Sequence, residues 1–167
     1  MDEEVLMKIF NDQAALVAKE KLQRKTDHSK EPLSSFFWIV DDLSDSPALR
    51  QRNESVLNKL YTVGRHQGAS VWVNVHALSA VSPLIRKNAS MLLIFKISNH
   101  KEYDTLREEY SHLVGKEEFD EIYKMAVGKG APPFSFLTIL LHQQDESKMF
   151  LARLDQRLSV DSESEED

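Results

Sequence analysis

The chain of 167 residues contains no cysteine. That excludes structural disulfides, thiolate zinc sites and thiol nucleophiles, and favours an intracellular setting. No apolar run approaches the roughly 18 to 20 residues that a membrane helix needs, and the acidic start Met1-Asp2-Glu3-Glu4 is unlike a signal peptide. Glycine is scarce, with five residues in all, every one from Gly64 onward. No stretch matches Gly-x-x-x-x-Gly-Lys-Ser/Thr, the loop whose backbone amides and lysine cradle phosphates. A strong charge of one sign is also lacking. The formal charge is −6, but Asp161, Glu163, Glu165, Glu166 and Asp167 supply five of those negatives, which leaves the rest near −1. Such a body has no broad basic footprint of the kind an autonomous nucleic-acid-binding domain carries. His28, His100, His112 and His142 fall in different predicted elements without metal-ligand spacing, and no Gly-x-Ser-x-Gly elbow is present.

What is present centres on Phe36-Phe37-Trp38-Ile39-Val40-Asp41-Asp42. Five apolar, β-favouring residues without alternation predict a strand buried on both faces, as in the middle of a parallel sheet. Two carboxylates at its C-terminal end stand where open α/β sheets bind ligands. Adjacent acids repel one another, and a neighbouring cation is the simplest compensation. An apolar strand ending in two acids is the Walker B arrangement, in which one acid holds Mg²⁺ through water and the next polarises the attacking water. The same residues also fit an ordinary core strand whose acids open a solvated turn and cap a helix at Ser46-Pro47.

Around this strand the periodicity predicts an amphipathic helix over residues 2 to about 24, on Val5, Leu6, Ile9, Phe10, Leu16, Val17 and Leu22, followed by a polar linker to Ser35. A helix with Val56, Leu57, Leu60, Tyr61 and Val63 on one face ends near Gly64, and Val71 to His76 is a second strand. Strand, helix, strand is a βαβ unit, which sets Asp41, Asp42 and His76 on one edge of a parallel sheet. Both tryptophans, Trp38 and Trp72, are expected in the core. Ser82-Pro83 opens a short helix, and Met91 to Ile97 is a third strand of the buried type. Two helices follow, with faces Leu106, Tyr110, Leu113 and Phe119, Ile122, Tyr123, Ala126. Phe134 to His142 and Lys148 to Leu154 form a β-hairpin before an acidic tail that should be disordered.

Three features taken together, Asp41-Asp42 after a strand, Gly64-Arg65-His66 before the next, and Pro83-Leu84-Ile85-Arg86-Lys87-Asn88 after it, carry a resemblance. From about Phe36 to Lys101 the chain resembles the C-terminal half of the poxvirus-type DNA-packaging ATPases of large DNA viruses, in the FtsK-HerA superfamily of P-loop motors. The resemblance implies an α/β fold, a partial P-loop NTPase (RecA/FtsK-HerA-like) sheet with flanking helices and a C-terminal β-hairpin. It divides the chain into an N-terminal helix and linker over 1–35, the C-terminal part of the ATPase-like domain over 36–157, and a tail over 158–167.

By resemblance Asp41 organises Mg²⁺, Asp42 activates the lytic water, and His76 holds the sensor position where these motors usually place glutamine. Arg86, in preference to Arg65, is the arginine finger reaching a neighbouring subunit's nucleotide. ATP, Mg²⁺ and double-stranded DNA are the family's ligands. The expected partner is a further copy of the chain or a missing N-terminal half, with no membrane involved, and the setting is intracellular, at a virion or viral factory. Without the cradle, the expectation is a fragment inactive alone, with a sheet edge and apolar surface exposed. The rival is a non-catalytic oligomerisation or partner-binding module, and a less favoured third reading is a small metal-dependent hydrolase using Asp41 and Asp42.

Overall fold

The computed structural model describes residues 2–28, 30–41, 55–145 and 148–159. The chain forms two compact units, Met1–Asn88 and Ala89–Asp167. In the first, helix α1 spans Glu3–Asp27, with the Asp2 carboxylate accepting from the Glu4 and Val5 amides, and stops at His28 in the left-handed region. Strand β1 is Phe36–Asp41, helix α2 Val56–Val63, strand β2 Ala69–Asn74 and helix α3 Pro83–Asn88. A 3₁₀ turn, Gly64–Gln67, leads into β2. The helix start expected at Ser46-Pro47 lies outside the described residues.

β1 and β2 pair in parallel, from Phe36 opposite Ala69 to Asp41 opposite Asn74, as the βαβ reading requires. Phe10 of α1 and Val56, Leu57 and Leu60 of α2 pack with Val40, Ala69 and Ile85, and with half-buried Phe36, Trp38, Val71 and Val73. These strand residues all point to one face. The expectation of a strand buried on both faces is therefore corrected. Phe37 and Ile39 of β1, and Trp72 of β2, are exposed on the other face, because the described helices of this unit pack against the side that carries Val40 and Ala69. Trp72 is likewise not a core residue. The apolar surface expected to be exposed is present on this bare face.

The first unit runs to Asn88, and α1 places Phe10 in the same cluster as Val40. α1 also holds both strand starts. Gln13 Nε2 donates to the carbonyls of Ser34 at 2.8 Å and Gln67 at 3.3 Å, and Lys21 Nζ donates to His66 O at 2.7 Å. The Glu20 carboxylate accepts from the amide and hydroxyl of Ser34. The hydroxyl bond above all, then the amide bond, holds Glu20 below the usual carboxyl range.

The second unit holds β3 (Met91–Phe95), α4 (His100–Tyr110), α5 (Lys116–Val127), β4 (Phe136–Leu140), β5 (Phe150–Ala152) and β6 (Gln156–Arg157). Its four strands run antiparallel in the order β3, β4, β5, β6, and the predicted hairpin is the β4–β5 pair. Both predicted helix faces appear, with Leu106 and Tyr110 buried on α4 and Phe119, Ile122, Tyr123 and Ala126 buried on α5. β3 is less buried than its composition suggests, since Met91 and Phe95 are exposed at its ends.

Leu158 is buried and its amide donates to Phe150 O at 3.0 Å, so it belongs to the fold, while residues 160–167 lie outside the described residues. Among the described residues, no helix is long and apolar enough to cross a membrane.

Candidate functional site

The site grows from the parallel register. Alternation along β1 points Phe37, Ile39 and Asp41 to the same side, and along β2 it points Ser70, Trp72 and Asn74 there too. At the C-terminal end of the pair, Asn74 Nδ2 donates to Asp41 Oδ1 at 2.9 Å. Both side chains are exposed. Asn74 was not among the residues singled out from the sequence. Its signal was an amide one strand step from the end of an apolar run, hidden because Val75 prolongs that run to His76. The strand stops at Asn74, and His76 stands two residues beyond it, exposed. Asp42 lies outside the described residues.

The two candidate arginines sit differently. Arg65 is in the 3₁₀ turn that precedes β2 and is exposed. Arg86 lies in α3, whose N-terminus is capped by Ser82 Oγ accepting from the Ile85 amide at 3.4 Å. Its Nη1 donates to the carbonyls of Val81 at 2.6 Å and Leu78 at 3.1 Å, so this guanidinium fixes the loop between β2 and α3. A finger reaching another molecule from Arg86 would surrender those two bonds. Arg86→Ala is expected to lower stability by about 1.5–3 kcal/mol through loss of charge-assisted bonds to half-buried carbonyls. Arg86→Lys should fall between, as read by urea denaturation. A side chain with no structural task would leave stability within about 0.5 kcal/mol.

Mg²⁺ is the ion that the resemblance implies here. Among the described residues, no three His, Asp or Glu side chains gather as a metal cage. Mg²⁺ usually keeps several waters and uses one or two carboxylates plus substrate phosphates. Asp41, exposed and with one oxygen taken by Asn74, fits that pattern as a single carboxylate holding the ion through water. No described glycine sits in a strand–loop–helix cradle. Gly64 packs on Ala69, Gly68 joins the 3₁₀ turn to β2, and Gly115 precedes α5 after a 3₁₀ turn. The phosphate-gripping element therefore does not fit any part of the described chain.

The second unit has a cleft of about 290 Å³ lined by Asn99, His100, Tyr103, Asp120, Tyr123 and Lys124, among others. Its carboxylate is already engaged. Asp120 Oδ1 accepts from the Tyr103 hydroxyl at 2.6 Å and pairs with Arg107 Nε at 2.9 Å. Desolvation, then this bond, raises the Tyr103 pKa well above its ordinary value. This cluster clamps α4 to α5.

No family model matches the chain, and no curated protein matches it. Among solved structures it is similar to the genome packaging NTPase B204 from Sulfolobus turreted icosahedral virus 2. Against the AMP complex the TM-score is 0.57 at 13% identity, covering 92% of this chain and 62% of that one. Against the AMPPCP complex it is 0.54 at 13% identity, covering 90% and 60%. The ATP-gammaS complex gives 0.51 at 13% identity, covering 72% and 52%. The chain thus spans about three-fifths of that protein's length in the longest of these matches. At this identity the likeness shows the fold, and the α/β architecture expected from the P-loop motors is the one observed.

Proposed function

We propose that this chain is the metal-side and water-side part of a viral DNA-packaging ATPase of the FtsK-HerA type, similar to the poxvirus branch. The observation that carries the reading is the end of β1, where Asp41 meets the Asn74 amide in parallel register, within a fold shared with a packaging NTPase. The nucleotides bound in the B204 complexes support an ATP-class ligand.

In this reading Asp41 holds Mg²⁺ through water and Asp42 orients the lytic water. Asn74 positions the Asp41 carboxylate, and His76 or Asn74 offers a donor toward the terminal phosphate. Bound Mg²⁺ would neutralise phosphate charge. Arg86 or Arg65 supplies the guanidinium in trans, double-stranded DNA is the translocated polymer, and the setting is intracellular, at a virion or viral factory. The phosphate grip comes from outside this chain.

Isothermal titration with Mg·ATP tests the reading. Weak binding, on the order of millimolar because the phosphate grip is not in this chain, that Asp41→Ala weakens at least tenfold is the expected result. Hydrolysis by this chain alone should stay undetectable, and Mg²⁺-dependent turnover abolished by Asp42→Asn would refute the need for an outside grip. Absence of any binding heat favours a second reading, a non-catalytic oligomerisation or partner-binding module. The bare sheet face and the internally engaged Arg86 speak for that alternative.

A further inference from the structure

The first unit is electrically two-ended. Along α1, residues 2–12 carry the acids Asp2, Glu3, Glu4 and Asp12 against Lys8, whereas residues 13–27 carry Lys19, Lys21, Arg24 and Lys25 against Glu20 and Asp27. The helix runs against the strands. Glu3 accepts from the amide of Val56, the first residue of α2, which returns from the Asp41 end of the sheet to the turn before β2. Gln13 donates to the Ser34 and Gln67 carbonyls at the strand starts, and Lys21 to His66 O in that same turn. The acidic half of α1 therefore lies toward Asp41, and its basic half at the opposite end.

The basic end is a patch built from two elements. Lys21, Arg24 and Lys25, at steps of three and four, share one side of the helix. The bond from Lys21 to His66 O sets that side against the turn Gly64–Gln67, where Arg65 and His66 are exposed. Among the described residues, none of Lys21, Arg24, Lys25 and Arg65 is ion-paired within 4.0 Å of a carboxylate. Glu20, beside Arg24, is held by the amide and hydroxyl of Ser34. Complementing the C-terminal dipole of α1 accounts for Arg24 and Lys25, but not for Arg65, which belongs to another element. The patch also lacks the apolar centre of a protein-binding surface, since the exposed Leu22 lies roughly 100° round the helix from Lys21.

We propose that the last turns of α1 and the turn before β2 hold the phosphodiester backbone of duplex DNA. Lysine and arginine side chains without carboxylate partners are the groups that neutralise phosphates, and such contacts position a duplex without reading its sequence. The acids around the far end of α1, with Asp41, repel a polyanion, so the field of the unit turns the duplex toward the basic end. A strand of the length of β1 separates the two ends by about 20 Å at roughly 3.3 Å per residue, which leaves the Asp41–Asn74 corner open while the duplex is held. Arg65 is then engaged by the polymer rather than by a neighbour's nucleotide. The choice of DNA rests on the packaging reading, whereas the patch is read from charge and geometry alone.

Fluorescence anisotropy of a labelled duplex of arbitrary sequence, titrated with the full chain in a salt series without nucleotide, tests it. Binding is expected at roughly 10⁻⁴–10⁻⁶ M near physiological salt, with log K falling against log salt at a slope of about −3 to −4, because each of about four phosphate contacts contributes roughly −0.9. The double variant Lys25→Gln/Arg65→Gln should lower affinity at least tenfold and flatten the slope by about 2. Lys101→Gln/Lys129→Gln removes the same charge from exposed positions of the second unit and should leave affinity within about twofold, with circular dichroism unchanged in both variants. Absence of duplex binding, equal losses in the two double variants, or displacement of the duplex by polyglutamate as readily as by unlabelled duplex overturns the proposal. The packaging reading fails separately, by the Mg·ATP titration.

Discussion

Gly68→Val is expected to cost about 3 kcal/mol or more of folding stability and to disorganise the joint between β1 and β2. Gly68 has φ +66, and a Cβ built there would lie 2.6 Å from the Ser34 carbonyl oxygen and 3.4 Å from Gln13 Nε2. The left-handed region alone costs an L-residue about 1–2 kcal/mol, and a β-branched side chain is worse placed than most. The clash adds to this because it is with main chain, which is held from two sides. Ser34 O also accepts the Gln13 amide, and Gly68 O accepts the Phe36 amide at 3.0 Å, the bond that opens the parallel ladder.

Gly64→Ala supplies the contrast. Its φ is −54, and the added Cβ would approach Ala69 Cβ and O at 3.3 Å, a tight fit that small shifts relieve, so its cost should stay at about 1 kcal/mol or below. Urea denaturation followed by circular dichroism ranks the two, with Trp38 and Trp72 fluorescence reporting on the β1–β2 pair. Equal effects would mean that the turn before β2 is not held as the structure has it.

What the sequence made legible was whatever depends on neighbours close along the chain. The βαβ unit, the start of α3 at Pro83, the buried faces of α4 and α5 and the β4–β5 hairpin all follow from local periodicity, caps and turn residues. The bare face was not legible in the same way. An unbroken run such as Phe36 to Val40 is compatible with burial on two faces or one, and the difference lies in whether a helix from elsewhere covers Phe37 and Ile39. Trp72 was misplaced for the same reason.

The site was half legible. Asp41 stands at a parallel strand end, where the run of apolar residues put it, and Asp42 lies outside the described residues. Asn74 escaped notice because Val75 continues the apolar pattern past the last paired residue. The bonds of Arg86 to the carbonyls of Leu78 and Val81 depend on the path of a loop that residue types alone do not specify. Leu158 looked like the edge of the tail, since its partner Phe150 is not local.

Phe119→Ala is expected to be among the most damaging single truncations, at about 3–5 kcal/mol. Phe119 is fully buried, and its ring meets that of Phe150 edge-on with centroids 6.2 Å apart. This geometry adds about 0.5–1.5 kcal/mol beyond area burial. The position matters as much as the volume. Phe119 lies in the first turns of α5, whose start is set by Gly115 at φ +101, with the Phe119 amide bonded to Gly115 O at 3.0 Å. The ring therefore locks the beginning of α5 to β5, and a cavity there cannot collapse without moving the helix.

For a chain of this size, each kcal/mol corresponds to roughly 2–4 °C in melting temperature, so a loss on the order of 10 °C is the readout. Phe134→Ala removes the same atoms from a side chain 90% exposed and should change stability by no more than about 0.5 kcal/mol. Because the two substitutions are chemically identical, their difference isolates packing. A Phe134 loss that matches or exceeds that of Phe119 would contradict the arrangement of α5 on β4 and β5.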